Sequence, residues 1–256
     1  MKPSSVFWSL VRHEMAMKGN RRKGSQVARK WWMVYFVVLA TAGLVAALYF
    51  ALHNELNLPY IWYATLGIPY IAMMFGVNSI KREWDNETQG WWLTLPYRRS
   101  LLVAAKWVSS TLLTLAALAA VYIVGTVLAT GIALGISGYS LANVGGFMII
   151  GLNWLLPLAG FCPLLLALGM LIAASQYTKA RPISPLLWFL FMGGCSLFYQ
   201  NFNGFGIKGI VDQVSSGSME LLPYPWEMGA LIVAGWLVTG LVLGLIAYLF
   251  DKKLSF

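Results

Sequence analysis

Six long runs of residues without Asp, Glu, Lys, Arg or His divide the chain, and shorter segments between them carry its charges. The runs cover residues 31–52, 60–80, 107–136, 144–174, 183–202 and 228–250. A helix rises about 1.5 Å per residue, so about 20 apolar residues cross the ~30 Å hydrocarbon core of a membrane. Each run reaches that length. The pattern therefore predicts an all-α membrane protein in which residues 31–250 form a bundle of six transmembrane helices.

The composition excludes several other classes of protein. Only 11% of the 256 residues are charged, whereas soluble domains carry about 25%. A soluble domain of this size could not keep so much apolar surface away from water. We therefore exclude a soluble enzyme, a disordered chain and a nucleic-acid-binding domain, and interpret residues 1–256 as a single transmembrane domain.

The basic residues are distributed unevenly between the two sides of the predicted bundle. Of the 18 Lys and Arg, 17 lie before the first run, after the second and fourth runs, or after the last, and only Lys208 lies elsewhere. Lys and Arg are enriched in cytoplasmic loops of membrane proteins. Both termini are therefore predicted to be cytoplasmic, in a multi-pass protein of the cell membrane. The net charge of +9 is interpreted as a topology signal, and no nucleic-acid partner is expected.

The segment before the first run, residues 1–30, is predicted to begin with an amphipathic helix. Apolar residues recur at helical spacing within residues 4–18, and Glu14 interrupts the apolar stripe. Such a helix lies in the plane of the membrane interface. Two interpretations stay open, an interfacial anchor and a docking surface for a partner.

The loop from Lys81 to Lys106 contains three tryptophans within nine residues, Trp84, Trp91 and Trp92. Its alternating acids and aromatics predict a short helix, broken near Gly90 and Pro96. One interpretation is an interfacial aromatic belt. The other is a projection that inserts into a groove of another protein. The later loop, residues 203–227, is interpreted either as short re-entrant helices or as a plain surface loop.

Motifs for catalysis are missing from the sequence. There is no phosphate-binding G-x-x-x-x-G-K-[ST] loop and no H-E-x-x-H zinc motif. The runs hold no ionisable group of the kind that proton- or sodium-driven transporters place within the membrane. No catalytic, cofactor-binding or metal-binding residue is expected in this chain. A transporter whose motor is a separate subunit fits this set of features.

The sequence resembles the membrane subunit, or permease, of type-2 ABC exporters. The resemblance rests on the N-terminal amphipathic stretch with its basic tail, the six-span layout with a proline-rich approach to the last span, and the loop after the second span. In that loop the residues that match the family's acid, glycine, L-x-L-P, basic and lysine pattern are Glu87, Gly90, Leu93, Leu95, Pro96, Arg98 or Arg99, and Lys106. The pair Trp91 and Trp92 departs from the pattern, since the family usually has aliphatic residues there.

The resemblance implies a cytoplasmic coupling helix between spans two and three, which would dock on a separate ATPase subunit that binds ATP and Mg²⁺. The implied ATPase-coupling residues are Glu83, Trp84, Glu87, Gly90, Trp91, Leu93 and Pro96. The implied N-terminal docking residues are Leu10, Arg12 and Glu14. A second permease copy or a paralogue, and membrane lipid, complete the implied partners.

The resemblance also implies that the second and fifth spans line the cargo path. The residues they offer are Tyr70, Met73, Met74, Asn78, Phe198, Tyr199 and Gln200. The expected function is ATP-driven export of an amphipathic or hydrophobic cargo, such as an antimicrobial peptide, a drug or a lipid, from a bacterial cell. The alternatives are a non-transport membrane partner, such as an immunity or sensor subunit, and a stand-alone membrane enzyme.

Overall fold

The fold comes from a computed structural model that describes residues 3–16, 23–201 and 226–252. Its α-helices are α1 (Pro3–Ala16), α2 (Lys23–Leu52), α3 (Ile68–Asp85), α4 (Gln89–Thr94), α5 (Arg99–Gly135), α6 (Leu141–Gln176), α7 (Ser184–Asn201) and α8 (Trp226–Lys252). Two 3-10 segments, Leu58–Thr65 and Arg181–Ile183, join them. Residues 17–22 of the basic N-terminal segment and nearly all of the predicted loop 203–227 lie outside the described residues.

Five helical stretches in the described part of the chain are long and apolar enough to cross a membrane. They are Met33–Leu52, Leu58–Asp85, Arg99–Gly135, Leu141–Gln176 and Trp226–Lys252. The prediction of an all-α multi-span protein is therefore confirmed for these five. The remaining predicted span, 183–202, corresponds to the 18-residue helix α7, and its crossing of the membrane stays a prediction.

The second span and the loop that follows it differ from the sequence interpretation. The run 60–80 is not one continuous helix, because the 3-10 segment Leu58–Thr65 ends before α3 begins at Ile68. Gly67 and Pro69 lie at this junction, and proline removes a backbone donor that a continuous helix would use. In the loop, the break lies at residues 86–88 and Gly90 lies inside α4. The break expected near Gly90 therefore lies two to four residues earlier, where Glu87, with φ of +59°, makes the turn. The break expected near Pro96 is confirmed by the bend at residues 95–97.

Helix α6 lies at the centre of the bundle and packs against α3, α5, α7 and α8. Glycines bring α3 and α6 into backbone contact, because a Cβ atom at Gly76 would overlap the carbonyl group of Leu166, and one at Gly169 would overlap that of Met73. Small residues allow such close approach in membrane helices. Helices α3 and α6 therefore form a closely packed pair.

Tryptophan side chains fix other elements to α6. The indole nitrogens of Trp107 on α5 and Trp236 on α8 donate to the carbonyl oxygens of Pro163 and Gly160, each over 2.9 Å. At one end of the bundle the final turns of α3, α6 and α8 meet, because Trp84 stacks on Tyr177 and Phe250. This end, where α5 also begins, is called the basic end below.

Candidate functional site

The basic end contains a buried cluster of four charged side chains. Lys106 on α5 is fully buried, and its Nζ donates to Oε1 of Glu14 on α1 over 2.7 Å and to Oε1 of Glu83 on α3 over 2.6 Å. Arg82 Nη2 donates to the second carboxylate oxygen of Glu14 over 2.8 Å. These four residues, Glu14, Arg82, Glu83 and Lys106, are called the ion cluster. Two positive and two negative charges balance one another in it.

The ion cluster explains why an acidic residue interrupts the apolar stripe of α1. Val11 and Glu14 both face the bundle, with 2% and 8% of their surface exposed. Helix α1 packs along α5, and this packing brings the Glu14 carboxylate within 2.7 Å of Lys106 Nζ. A charge buried this deeply requires a partner of opposite charge. Glu14 is therefore the residue that ties the N-terminal helix to the bundle.

The short helix α4 is attached to the same cluster from the other side. Thr88, just before α4, donates its hydroxyl to Oε2 of Glu83 over 2.6 Å. The ring of Trp92 lies 5.1 Å from Lys106 Nζ, within the range of a cation–π interaction. Lys106 thus contacts groups from α1, α3 and α4 while it belongs to α5.

An aromatic cluster lies beside the ion cluster and joins α3, α4, α6 and α8. Trp84 stacks on Tyr177 with ring centroids 4.3 Å apart and planes at 13°. Phe250 of α8 contacts Trp84 at 5.8 Å and meets the edge of Trp92 at 5.6 Å. Burial, and then the charge of Asp85, raises the pKa of the Tyr177 hydroxyl. The aromatic cluster thus joins α4 to α8 through Phe250, and Phe250 and Trp84 join α8 to α3 and to the end of α6.

The outer surface of α4 and α1 is exposed. Trp91 is 57% exposed, and its ring lies 6.2 Å from that of His13 on α1. Arg12 beside it is exposed as well. The exposed set of Arg12, His13 and Trp91 is called the outer face. It presents an aromatic ring and a fixed positive charge on the two helices, α1 and α4, that also contribute contacts to Lys106.

The structure brings the predicted ATPase-coupling residues and N-terminal docking residues together at the basic end, where they form two layers. In the inner layer, Glu14, Glu83 and Leu93 are buried, and Leu10 and Trp84 are half-buried. In the outer layer, Arg12, Glu87, Gly90, Trp91 and Pro96 are exposed. Only the outer layer is accessible to a partner in this conformation.

The four predicted cargo-path residues on α3 do not share one surface. Met73 is buried against α6, whereas Met74 and Asn78 on the same helix are exposed. Tyr70 is half-buried and meets the edge of Phe191 on α7 at 5.9 Å. The side chains of Phe198, Tyr199 and Gln200 lie outside the described residues. A role in the cargo path stays a prediction for all seven.

Several residues of the site were not selected from the sequence. Arg82, Thr88, Tyr177 and Phe250 were given no role in the site, Trp92 entered only as one of the three loop tryptophans, and Lys106 entered only as part of a motif. One sequence signal could have indicated Lys106. An acid on the apolar side of an interfacial helix needs a buried cation, and Lys106 directly precedes a long apolar run.

The fold and the site together define a multi-span helical membrane protein, with an N-terminal helix and a short inter-span helix joined at one end by buried charges. Residues 13–253 match the family model of the ABC-2 family transporter proteins, and the chain belongs to that family. No curated protein and no solved structure matches the chain. The chain is thus a membrane permease of an ABC transporter. Permeases of this family normally work with an ABC ATPase subunit and are generally not catalytic themselves.

Proposed function

We propose that this permease is the membrane subunit of an ATP-driven exporter, with its basic end in the cytoplasm and its outer face in contact with a separate ATPase subunit. The observation that best supports this proposal is the position of Lys106. This buried side chain lies directly beneath α4 and bonds to acids on α1 and α3. A partner that moves α4 would therefore act on α1, α3 and α5 together.

The route of coupling follows from the contacts of α4. A partner that displaces Trp91 would move the whole of this six-residue helix, including Trp92 and the turn at Thr88. Those residues contact Lys106 and Glu83, so the displacement reaches α5 and α3. Losing one partner of a buried ion pair costs about 3–5 kcal/mol. The four elements are therefore expected to move as a unit or to exchange ion-pair partners.

The two layers of the site divide the proposed roles. The exposed residues Glu87, Gly90, Trp91 and Pro96, with Arg12, form the contact surface for the ATPase. The buried residues Glu14, Glu83 and Leu93, with the half-buried Leu10 and Trp84, are positioning residues that act through the ion and aromatic clusters. ATP and Mg²⁺ belong to the ATPase subunit and not to this chain.

The proposed cargo is amphipathic or hydrophobic, such as an antimicrobial peptide, a drug or a lipid, and is exported across a bacterial cell membrane. The six runs without charged residues support this class over an ion, which would need polar or charged ligands within the membrane. A second permease copy or a paralogue completes the translocation path. The half-buried Tyr70 and the exposed Met74 and Asn78 are the accessible members of the proposed path on α3.

The test is co-purification of the permease with an ATPase subunit from its native host in mild detergent. Trp91→Ala removes the exposed ring and is expected to reduce ATPase recovery at least tenfold, with little effect on stability because the ring is not part of the core. Trp226→Ala is the matched control. Trp226 is 79% exposed at the start of α8, and α8 reaches the basic end only at its final turn.

Two outcomes contradict the proposal in different ways. Equal ATPase recovery with Trp91→Ala would exclude the outer face as the contact surface. Complete absence of an ATPase from chemically cross-linked wild-type membranes would favour the alternative of an immunity or sensor subunit.

A further inference from the structure

An apolar groove runs between α2 and α5 and is closed on one side by the 3-10 segment Leu58–Thr65. Its volume is about 570 Å³, and its walls include Leu44, Leu48, Val127 and Leu128. Gly43 and Gly131 are among its lining residues. A Cβ atom at either position would have no neighbour within 4 Å, so there is open space beside both. The groove faces away from the central helix α6. It is independent of the site at the basic end.

The length and level of the groove match one leaflet of a bilayer. On α2 its lining extends from Ala40 to Leu48, which is about 12 Å of helix. Half of a ~30 Å hydrocarbon core is about 15 Å. Helix α2 is the least buried of the five described spans, so the groove opens sideways to the hydrocarbon.

Two polar segments adjoin the lining residues Tyr60 and Ile136 at the end of the groove opposite to the basic end. The hydroxyl of Tyr139 donates to the carbonyl oxygen of Leu56 over 2.9 Å. Asn54 fits against Gly138, whose φ is +116° and where a side chain would overlap it. These contacts hold residues 53–57 and 136–140 together at the level expected for lipid headgroups.

The charge at this mouth has a definite sign. Glu55 is exposed there, and residues 53–59 and 136–143 contain no Lys or Arg. The ring of His53 is bonded through Nδ1 to the carbonyl oxygen of Tyr49 over 2.8 Å, so it is directed back toward its own helix. In the part of the chain that the structure describes, a headgroup at this level therefore meets the carboxylate of Glu55 and no Lys or Arg.

We propose that this groove binds an acyl chain of a membrane phospholipid with an amine-bearing headgroup, taken from the leaflet opposite to the basic end. The acyl chain fills the space between α2 and α5, where packing contacts would otherwise be lost. The amine lies near Glu55 as a charge-assisted partner. The lipid thus replaces the direct contact between α2 and α5 that their small residues would allow.

Native mass spectrometry of the purified protein tests the proposal. The protein is equilibrated in micelles that contain phosphatidylethanolamine and phosphatidylglycerol in equal amounts. Wild type is expected to retain one phosphatidylethanolamine per chain. Gly43→Leu and Gly131→Leu fill the groove without a clash inside the protein and are expected to reduce retention at least tenfold. Gly244→Leu on α8 is the matched control, since Gly244 is exposed and also has open space around it.

One further variant tests the assignment of the headgroup, and the outcomes that would overturn the proposal are distinct from one another. Glu55→Gln is expected to abolish the preference for phosphatidylethanolamine while an acyl chain is still retained. The proposal is overturned if the leucine variants retain lipid as wild type does. It is also overturned if they convert an oligomer to a monomer, because the occupant would then be a second copy of this chain. Equal retention of both lipids by wild type would overturn the role of Glu55.

Discussion

At the basic end, α1, α3, α4 and α5 meet through charged side chains, whereas at the opposite end the segment Leu58–Thr65 is fixed to α6 by neutral groups. There the indole of Trp62 donates to the carbonyl oxygen of Phe147 over 2.8 Å and stacks on its ring at 4.6 Å. The indole of Trp154 donates to the Thr65 hydroxyl over 2.8 Å. One end is a network of charges, and the other is a set of neutral contacts, most of them with α6, although Trp62 also stacks on Tyr122 of α5 at 5.9 Å.

The difference indicates where movement is transmitted and where it stops. Lys106 bonds to acids on two other elements, so displacement of any member affects the rest. Trp62 and Thr65 contact mainly α6, which is already in backbone contact with α3. We therefore expect the opposite end to act as a fixed support while the basic end responds to a partner.

The largest expected effect comes from removing the cation of the ion cluster. Lys106→Met leaves Glu14 and Glu83 buried without their shared partner, and a loss of this kind costs about 3–5 kcal/mol. The midpoint of thermal unfolding in detergent is expected to fall sharply, and α1 is expected to become accessible to protease. Fluorescence-detected size-exclusion chromatography after heating measures the first effect.

The matched controls for this variant separate charge from side-chain volume. Lys106→Arg keeps the charge and is expected to lose much less stability. A triple variant that combines Lys106→Met with Glu14→Gln and Glu83→Gln removes the uncompensated charges and should recover part of the loss. Equal destabilisation by the single and triple variants would mean that packing, and not the ion pairs, holds the basic end.

The spans were predictable because the thickness of a bilayer fixes the length of an uncharged run. The amphipathic character of α1 followed for a similar reason, since a helix at an interface repeats its apolar residues at helical spacing. The pairing of Glu14 with Lys106 was not predictable in this way, because 92 residues separate them. Only the packing of α1 along α5 brings them together.

Local backbone geometry and residue roles were harder to predict. Gly90 was expected to break the short helix because glycine is a frequent helix breaker, but glycine is tolerated in a helix at a cost of about 1 kcal/mol. The turn falls instead at Glu87, where no residue type signals a positive φ. The sequence grouped Glu83 with Trp91, although the first is buried and the second exposed.

A smaller effect is expected at the opposite end. Trp62→Phe removes the indole donor from a ring that is 1% exposed, and the lost hydrogen bond together with the lost volume should cost about 1–3 kcal/mol. Trp236→Phe removes an equivalent bond to Gly160 from a ring that is 58% exposed, and a smaller loss is expected. If Trp236→Phe is the more damaging change, the opposite end is not the fixed support inferred here.

The smallest expected effect concerns the turn before α4 and distinguishes the two layers of the basic end. Glu87 adopts φ of +59°, a conformation that costs non-glycine residues about 1 kcal/mol or more and that glycine adopts freely. Because each variant removes the contacts of the Glu87 side chain, the comparison is between variants: Glu87→Gly should be more stable than Glu87→Ala by about 1 kcal/mol, and Glu87→Val should be less stable than either, as the midpoint of thermal unfolding would report. If Glu87 contacts the ATPase, Glu87→Gly and Glu87→Asn should both lose recovery of the ATPase while the fold is retained. Retained recovery in both variants would restrict the contact surface to Trp91 and its neighbours on α1.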